Sequence, residues 1–342
     1  MVILLDAMGG DNSPDANIKG AVNALDKVEA DILLIGKEDV INSRVKEIYG
    51  KDNIHDISPR LNIYNATETI EMEDIPTQAI RRKKDSSMVV GFNLLKEGKG
   101  DVFVSAGNSG ALLTGAILLV GRIKGVDRPA LAATLPAYNG KFLLMDSGAN
   151  TNCKVTNLVQ FAQMGTIYMS NTFGIEKPKV GLLNIGTEET KGNELTKETF
   201  KFLKENANEL NINFVGNVEG REAYSGEIDI LITDGFTGNV FLKTSEGLGK
   251  FVKRSLTESL KKNIFSKVAA LPSLPALKRF VKTTDYKEYG GGLFLGVKKP
   301  VVKAHGSSDA RLFCATIKQA EQFVKNNSVE KMIDNFTKLN TN

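Results

Sequence analysis

Asp101-Val102-Phe103-Val104-Ser105-Ala106-Gly107-Asn108-Ser109-Gly110 joins an apolar run to a glycine-rich turn, and a helical pattern follows from Ala111 to Ala116. β-Branched and aromatic residues favour strands, and small residues permit a tight turn at a helix start. Similar turns occupy residues 6–11, 146–150 and 234–239. This alternation of strands, glycine turns and helices predicts an α/β protein with a largely parallel sheet.

Nine short runs rich in leucine and β-branched residues are the predicted strands. Many are apolar throughout, which is typical of strands covered by helices on both faces. We therefore expect three α/β/α layers, and because no linker divides the chain we treat residues 1–342 as one large domain. The runs cover residues 2–5, 31–35, 61–64, 101–105, 131–135, 142–145, 179–184, 213–215 and 228–233.

The composition is that of an ordinary soluble protein, with 42% hydrophobic and 25% charged residues among 342. It excludes disordered, collagenous and disulfide-scaffold chains. Lys and Arg exceed Asp and Glu by 44 − 40 = 4, too little to argue for a nucleic-acid partner. Two cysteines fit a reducing compartment, and the first residues lack the basic start of a signal peptide. We expect a cytoplasmic protein.

Two glycine turns are candidate anion sites. Free N–H groups in the turn at residues 105–110 would favour phosphate, although a plain turn with Ser109 capping the helix is an equal alternative. The amide and hydroxyl groups of residues 234–239 could hold a phosphate or carbonyl oxygen. Asp146, Asn150 and Asn152 have no supporting ligand cluster, so we expect no metal.

Lys191 and His305 are the candidate charged groups. Lys191 could place a cation at a helix entry, although a solvated loop is the commoner reading. His305 comes just before a predicted helix at residues 310–325, with Ser307 or Ser308 as its N-cap, and a structural role is equally open. Neither cysteine has a nucleophile signature, so we expect the nucleophile to come from the substrate.

Residues 250–282 differ from the rest, with nine Lys or Arg and the single acid Glu258. Apolar residues recur every four positions and continue around two prolines. An amphipathic, lysine-flanked helix is typical of contact with anionic lipid, and packing on the body or on a second subunit is the alternative. The apolar candidates for membrane contact are Leu260, Ile264, Val268, Leu271, Leu274 and Leu277.

Several ordered blocks together resemble the bacterial phosphate acyltransferase (PlsX) family. They are Asp6-Ala7-Met8-Gly9-Gly10-Asp11, Ser105-Ala106-Gly107-Asn108-Ser109-Gly110-Ala111, Lys191-Gly192-Asn193-Glu194, Asp234-Gly235-Phe236-Thr237-Gly238-Asn239 and His305-Gly306-Ser307-Ser308. The resemblance implies a fold like that of phosphotransacetylases and the isocitrate and isopropylmalate dehydrogenases, with a cleft and a homodimer. It implies transfer of a long-chain acyl group from acyl carrier protein to inorganic phosphate, reversibly, for phospholipid synthesis.

On this reading phosphate attacks the thioester directly, and no metal or cofactor is needed. Asn239 or its backbone neighbours would polarise the carbonyl, His305 would protonate the leaving thiolate, and Lys191 would help to bind phosphate. Asp234 is a further candidate catalytic residue. The phosphate and substrate candidates are Ser105, Gly107, Asn108, Ser109, Gly110, Thr237, Gly238, Gly306, Ser307 and Ser308.

The resemblance also implies partners. Acyl carrier protein is acidic, so Arg81, Arg82, Lys83 and Lys84, or the basic helix after Lys250, would dock it. The family binds the inner membrane face peripherally and passes its product to a membrane-bound glycerol phosphate acyltransferase. Two rivals stay open: a decarboxylating dehydrogenase, which needs a metal and nicotinamide, and a non-catalytic lipid-surface scaffold.

Overall fold

The computed structural model describes residues 1–138, 140–261, 272, 275–276 and 289–339. These residues form eleven strands and ten α-helices. The strands are β1 (Val2–Asp6), β2 (Asp31–Gly36), β3 (Leu61–Asn65), β4 (Val102–Ser105), β5 (Ala130–Ala137), β6 (Gly140–Met145), β7 (Lys179–Asn184), β8 (Asn213–Glu219), β9 (Ile230–Ile232), β10 (Gly292–Leu295) and β11 (Val301–Lys303). The helices are α1 (Asp15–Ala24), α2 (Glu38–Tyr49), α3 (Pro76–Arg82), α4 (Ser87–Lys96), α5 (Ser109–Gly115), α6 (Val155–Phe173), α7 (Glu194–Asn206), α8 (Gly235–Lys261), α9 (Ala310–Lys325) and α10 (Ser328–Leu339).

The strands form one sheet in the order β3-β2-β1-β4-β11-β10-β5-β6-β9-β7-β8. Neighbours pair in parallel except at β11–β10, β10–β5 and β5–β6. Two parallel groups are therefore joined through a short antiparallel centre. All nine predicted runs are strands, which confirms the largely parallel α/β prediction. The central strands β10 and β11 were not predicted.

Successive side chains of a strand point to opposite faces of the sheet, and here both faces are apolar, so helices cover both. Leu5 and Val104 pack toward α1, α2, α6, α7, α9 and α10. Leu4 and Phe103 point the other way, toward α3, α4 and α5. On that second face Phe142 packs against α8. Each fully buried leucine contributes about 1.5–3 kcal/mol, so two-sided burial fixes the three-layer arrangement.

Two helix caps differ from the prediction. Asn108, and not Ser109, caps α5, because its Oδ1 accepts a hydrogen bond from the Ala111 N–H at 3.0 Å. Asp309, and not Ser307 or Ser308, caps α9 by accepting from the Leu312 N–H at 2.9 Å. In both cases the side-chain oxygen lies three residues before the N–H that it satisfies.

Helix α8 is one continuous element of 27 residues, from the glycine turn at Gly235 into the basic segment. Of the predicted membrane residues, Leu260 lies on this helix, whereas Ile264, Val268, Leu271, Leu274 and Leu277 lie outside the described residues. Among the described helices, none has the length and apolar character needed to cross a bilayer. One large domain for residues 1–342, with a protruding segment at residues 250–282, stays a prediction.

Candidate active site

The turns after β1 and β4 are joined through a buried carboxylate. Ser105 Oγ donates to Asp6 Oδ2 at 2.6 Å and accepts from the Gly107 N–H at 3.0 Å. A Cβ on Gly9 would lie 2.6 Å from that carboxylate and 2.7 Å from Gly107 N, so only glycine fits there. Burial raises the pKa of Asp6, and its hydrogen bonds with Ser105 and Ser87 oppose that shift. Ser105 therefore orders the turn.

Asn108 connects the β4 turn to the loop before α3. Besides capping α5, its Nδ2 donates to the carbonyls of Met72 at 2.9 Å and Asp74 at 3.1 Å. These bonds use both ends of the Asn108 side chain. Ser109 is exposed and Gly110 is partly exposed. An anion at this turn would therefore contact Ser109 and the backbone, with Asn108 holding the turn in shape.

The loop after β11 lies against the β1 turn. The Asp11 N–H donates to the Gly306 carbonyl at 2.8 Å. Asn12 Nδ2 donates to the Ser308 carbonyl at 3.2 Å, and buried Ser308 bonds through Oγ to the His305 carbonyl. The predicted residues of this loop therefore adjoin the β1 turn.

A second buried carboxylate orders the turn after β6. Asp146 accepts from the N–H groups of Leu131, Gly148, Ala149 and Asn150, and from Asn150 Nδ2, at 2.7 to 3.1 Å. Burial raises the pKa of this carboxyl group, and these hydrogen bonds oppose the rise. Among the described residues, no group of three His, Cys, Asp or Glu side chains is placed to bind a metal.

The start of α8 packs on this β6 turn. Asp234 Oδ1 accepts from the N–H groups of Phe236 and Thr237 at 3.0 and 2.9 Å, and Thr237 Oγ1 donates to its Oδ2 at 2.6 Å. A Cβ on Gly238 would lie 1.9 Å from the Asp146 carbonyl oxygen. Asp234 and Thr237 therefore cap the helix, and Gly238 allows its close approach.

One face of α8 reaches from the turn after β6 to the loop after β11. Asn239 is exposed and lies beside Gly148, whose absent Cβ would be 3.6 Å from Asn239 Oδ1. One turn later Lys243 Nζ lies 2.8 Å from His305 Nε2 and 2.9 Å from Glu246 Oε2. Residues four apart on a helix are neighbours, so Asn239 and Lys243 share one surface. Sequence reasoning missed Lys243, which lies within a helix and not in a strand-end turn.

Both ring nitrogens of His305 have polar neighbours. Nε2 lies 2.8 Å from Lys243 Nζ and 3.5 Å from Glu246 Oε2. Nδ1 lies 2.9 Å from Ser307 Oγ and accepts from the Ser307 N–H at 3.2 Å. Burial opposes ionisation of Glu246, yet hydrogen bonds from His305 and Lys243 prevail and lower its pKa. The carboxylate, the ammonium and the imidazole therefore form one connected group.

Among the described residues, no hydrogen bond or ion pair joins Lys191 to this group. Its side chain is exposed, and its backbone carbonyl accepts from Asn184 Nδ2 at 3.2 Å. Its neighbours Asn193 and Leu195 do reach the α8 start, because they line a cavity of about 420 Å³ with Asp234, Phe236 and Thr237. Its predicted role in phosphate binding stays a prediction.

The basic cluster lies at the end of α3. Arg81, Arg82 and Lys84 are exposed. Lys83 is half-buried, and its Nζ donates to Asp74 Oδ2 at 2.5 Å and to the Thr69 carbonyl at 2.9 Å. That hydrogen bond lowers the pKa of Asp74. Lys83 therefore holds the loop before α3, whereas the side chains of Arg81, Arg82 and Lys84 make no hydrogen bond within the described part of the chain.

Comparison with known proteins identifies the family. A family model described as fatty acid synthesis protein matches residues 1–331. The chain belongs to this family. It is 49% identical over 327 residues to a phosphate acyltransferase of Thermoanaerobacter pseudethanolicus, covering 95% of this chain and 94% of that one. It is 48% identical to a phosphate acyltransferase of Acetivibrio thermocellus, covering 99% and 97%. The chain is an enzyme of the acyltransferase class.

Solved structures confirm the predicted fold class. A phosphotransacetylase from Streptococcus pyogenes matches with a TM-score of 0.63 at 16% identity, covering 95% of this chain and 94% of that one. A 4-hydroxythreonine-4-phosphate dehydrogenase from Klebsiella pneumoniae matches with a TM-score of 0.54 at 11% identity, covering 95% and 99%. At these identities the likeness concerns the fold alone.

Proposed function

We propose that this phosphate acyltransferase moves a long-chain acyl group from acyl carrier protein to inorganic phosphate and releases acyl phosphate. The observation that carries the proposal is the shared face of α8. It places the Asn239 amide, a hydrogen-bond donor for a carbonyl, one turn from the Lys243 and His305 pair. Acyl transfer to an anion requires both kinds of group close together.

In the proposed reaction a phosphate oxygen attacks the thioester carbon, and a C–O bond forms. The oxyanion collapses, the C–S bond breaks, and the carrier thiolate leaves with a proton. Ser307, Ser308, Gly306 and the 107–110 turn hold phosphate, while Asn239 donates to the carbonyl oxygen. His305, whose Nε2 lies 2.8 Å from Lys243 Nζ, protonates the leaving thiolate. Lys191 helps to bind phosphate at the β7 side.

The test uses the purified protein with long-chain acyl carrier protein and ³²P-labelled phosphate. We expect thiol release that depends on phosphate, and one label per thiol in a product that hydroxylamine converts to the acyl hydroxamate. Replacing the donor with the matching acyl coenzyme A separates carrier recognition from chemistry. Thiol release without label in the product would refute phosphate as the acceptor.

Docking of the carrier protein is proposed at Arg81, Arg82 and Lys84. These exposed cations are not tied to the fold as Lys83 is. Arg82→Glu should raise KM for acyl carrier protein at least about tenfold, with a strong dependence on salt. Lys201→Glu on α7, across the sheet, is the matched control. An unchanged KM in Arg82→Glu would exclude this face.

Peripheral membrane contact is proposed along the end of α8. Leu248, Phe251 and Val252 are 60%, 66% and 40% exposed, and lysines flank them. An exposed apolar stripe with cations favours an anionic lipid surface. Phe251→Glu should abolish sedimentation with anionic vesicles, whereas Phe202→Glu on α7 should not. Equal sedimentation of both variants would exclude this stripe.

A homodimer and transfer of the product to a membrane-bound glycerol phosphate acyltransferase complete the proposal. Light scattering of the purified chain tests the first: a mass of one chain across micromolar concentrations would refute it. Acyl phosphate formed on vesicles that carry the second enzyme should be consumed without accumulating in solution. Accumulation at the rate of synthesis would refute the transfer.

A further inference from the structure

Lys303 is the last residue of β11, and it lies in one row with Asp6 and Ser105, which order the turns after β1 and β4. Its Cα pairs with that of Ser105 across β11 and β4. Ser105 in turn bonds to Asp6 on the next strand at 2.6 Å. Paired residues of neighbouring strands point to the same face of a sheet. Asp6, Ser105 and Lys303 therefore form one polar row across three strands, on the face that α4, α5 and α8 cover.

The Lys303 ammonium is buried with its hydrogen bonds incomplete. The residue is only 9% exposed. An ammonium has three N–H donors, and in the described part of the chain only the Ala304 carbonyl, at 2.9 Å, accepts from it. A buried cation without full pairing is costly, so such a group is normally retained for a ligand or a partner charge.

The charges around Lys303 come from three other elements. Lys243 on α8 repels its charged form, while Asp11 after β1 and Asp6 on β1 favour that form. Burial is the largest influence, and together these effects lower the pKa of Lys303 to about 8. His305, two residues on in the chain, and Glu246 act on this environment through Lys243.

The Lys243 and Lys303 ammonium groups therefore lie close enough for their charges to interact, in the region where the turns after β1 and β11 meet α8. No described carboxylate makes a hydrogen bond to Lys303, although Asp6 and Asp11 are near enough to influence its charge. A dianion placed against both lysines would remove their repulsion and complete the hydrogen bonds of Lys303. A carboxylate would complete these hydrogen bonds less well than phosphate, because it carries one negative charge and has fewer acceptor oxygens.

We propose that Lys303 binds the phosphate substrate, donating from its ammonium to a phosphate oxygen in the space that Lys243 also faces. This inference rests on the proposed function and names a residue of its nucleophile site. It has a direct consequence for protonation. Phosphate binds the charged form of Lys303, so binding must draw a proton onto this lysine whenever the pH is near or above 8.

The decisive measurement follows the ¹³Cε signals of labelled lysines in the intact enzyme. The signal absent from Lys303→Met identifies the residue, and Lys201→Met is the matched control for labelling. We expect that signal to titrate near pH 8 and to shift upward by at least about one pKa unit at saturating inorganic phosphate. Sulfate, a dianion of similar shape, tests whether charge alone suffices. A titration that phosphate leaves unmoved, in enzyme that binds phosphate calorimetrically, would overturn the inference.

Binding and kinetics give an independent readout. Methionine nearly matches the lysine stem in volume, so Lys303→Met should preserve packing. Its affinity for phosphate should fall roughly 10- to 100-fold, as loss of a charged hydrogen bond predicts, while KM for acyl carrier protein changes little. Unchanged phosphate affinity in a folded Lys303→Met protein would refute the role. If that variant does not fold, Lys303→Arg, which keeps the charge but removes the lysine signal, supplies the assignment, and the wild-type titration decides. If the enzyme makes acyl phosphate but phosphate does not shift the pKa of Lys303, the proposed function stands and this inference is refuted. If the enzyme does not bind phosphate, both are refuted.

Discussion

Replacing Asn239 by alanine separates catalysis from folding. The side chain is exposed, and among the described residues it makes no hydrogen bond. It lies beside Gly148 and one turn before Lys243, on the face of α8 that meets the site. Alanine has the higher helix propensity, so the free energy of unfolding should stay within about 0.5 kcal/mol of wild type or rise slightly.

The expected catalytic loss is large by comparison. Removing one preorganised donor to an oxyanion costs about 100- to 1,000-fold in kcat, or about 2.7–4 kcal/mol of transition-state stabilisation. The carbonyl gains negative charge mainly in the transition state, so kcat should fall while KM for phosphate changes less than about threefold. A residue that merely supported the helix would lower stability and rate together.

The assay measures hydroxamate formation at saturating phosphate and acyl carrier protein, with calorimetric unfolding of the same samples. Thr244→Ala, also exposed on α8 but on another side of the helix, is the matched control. It should keep both kcat and Tm. A kcat for Asn239→Ala within threefold of wild type, or a fall in Tm that accounts for the lost rate, would refute the assignment.

Three further tests concern the scaffold of the site. Gly238→Ala places a Cβ 1.9 Å from a backbone carbonyl oxygen and should destabilise the protein by at least about 1–3 kcal/mol in chemical denaturation. Gly247→Ala on the same helix meets no atom within 4 Å and should stabilise it, so equal effects would contradict this. Glu246→Gln should lower Tm most near neutral pH. Because the folded-state pKa of this carboxyl is lowered, its contribution is present above its unfolded pKa and is lost as the pH falls through the folded pKa, so Tm differences should vanish in acid. Lys83→Glu should cost about 1 kcal/mol or more and Arg82→Glu little, since only Lys83 is bonded to the preceding loop. Equal unfolding curves for these two would contradict that reading.

The strands could be predicted from the sequence wherever the strand itself is a run of apolar residues. Runs such as residues 102–105 are buried on both faces, and their composition shows it. Strands β10 and β11 have four and three residues, one begins with glycine, and the other ends in lysine. Neighbours on both sides in the middle of the sheet stabilise them, and a local pattern does not contain those neighbours.

Site residues could be predicted where polar residues stand in a glycine-containing turn next to a predicted strand or helix. The turns at Asp6, Ser105 and Asp234 were selected because they come directly after apolar runs, and His305 was selected because it comes just before a predicted helix. Lys243 gave no such signal, since one lysine in an amphipathic helix is usually solvated. Only tertiary packing against His305 distinguishes it. Asn108 was selected as a phosphate-binding residue and Asp234 as a catalytic residue, and the structure shows the hydrogen bonds by which they shape the turns.

The length of α8 ties the chemistry to the protein surface. At 1.5 Å per residue its 27 residues extend about 40 Å, and the twelve from Gly235 to Glu246 span roughly 18 Å of that length. The first end is fixed at the Asp146 turn, and Glu246 and Lys243 fix it again near His305. The helix is therefore held at two points on opposite halves of the sheet. Beyond the second point it continues for about four turns, on which Leu248, Phe251 and Val252 are exposed. Because a helix transmits a tilt along its whole length, a surface that orders those turns also restrains Asn239 and Lys243, and acyl transfer should be sensitive to what α8 touches outside the cleft.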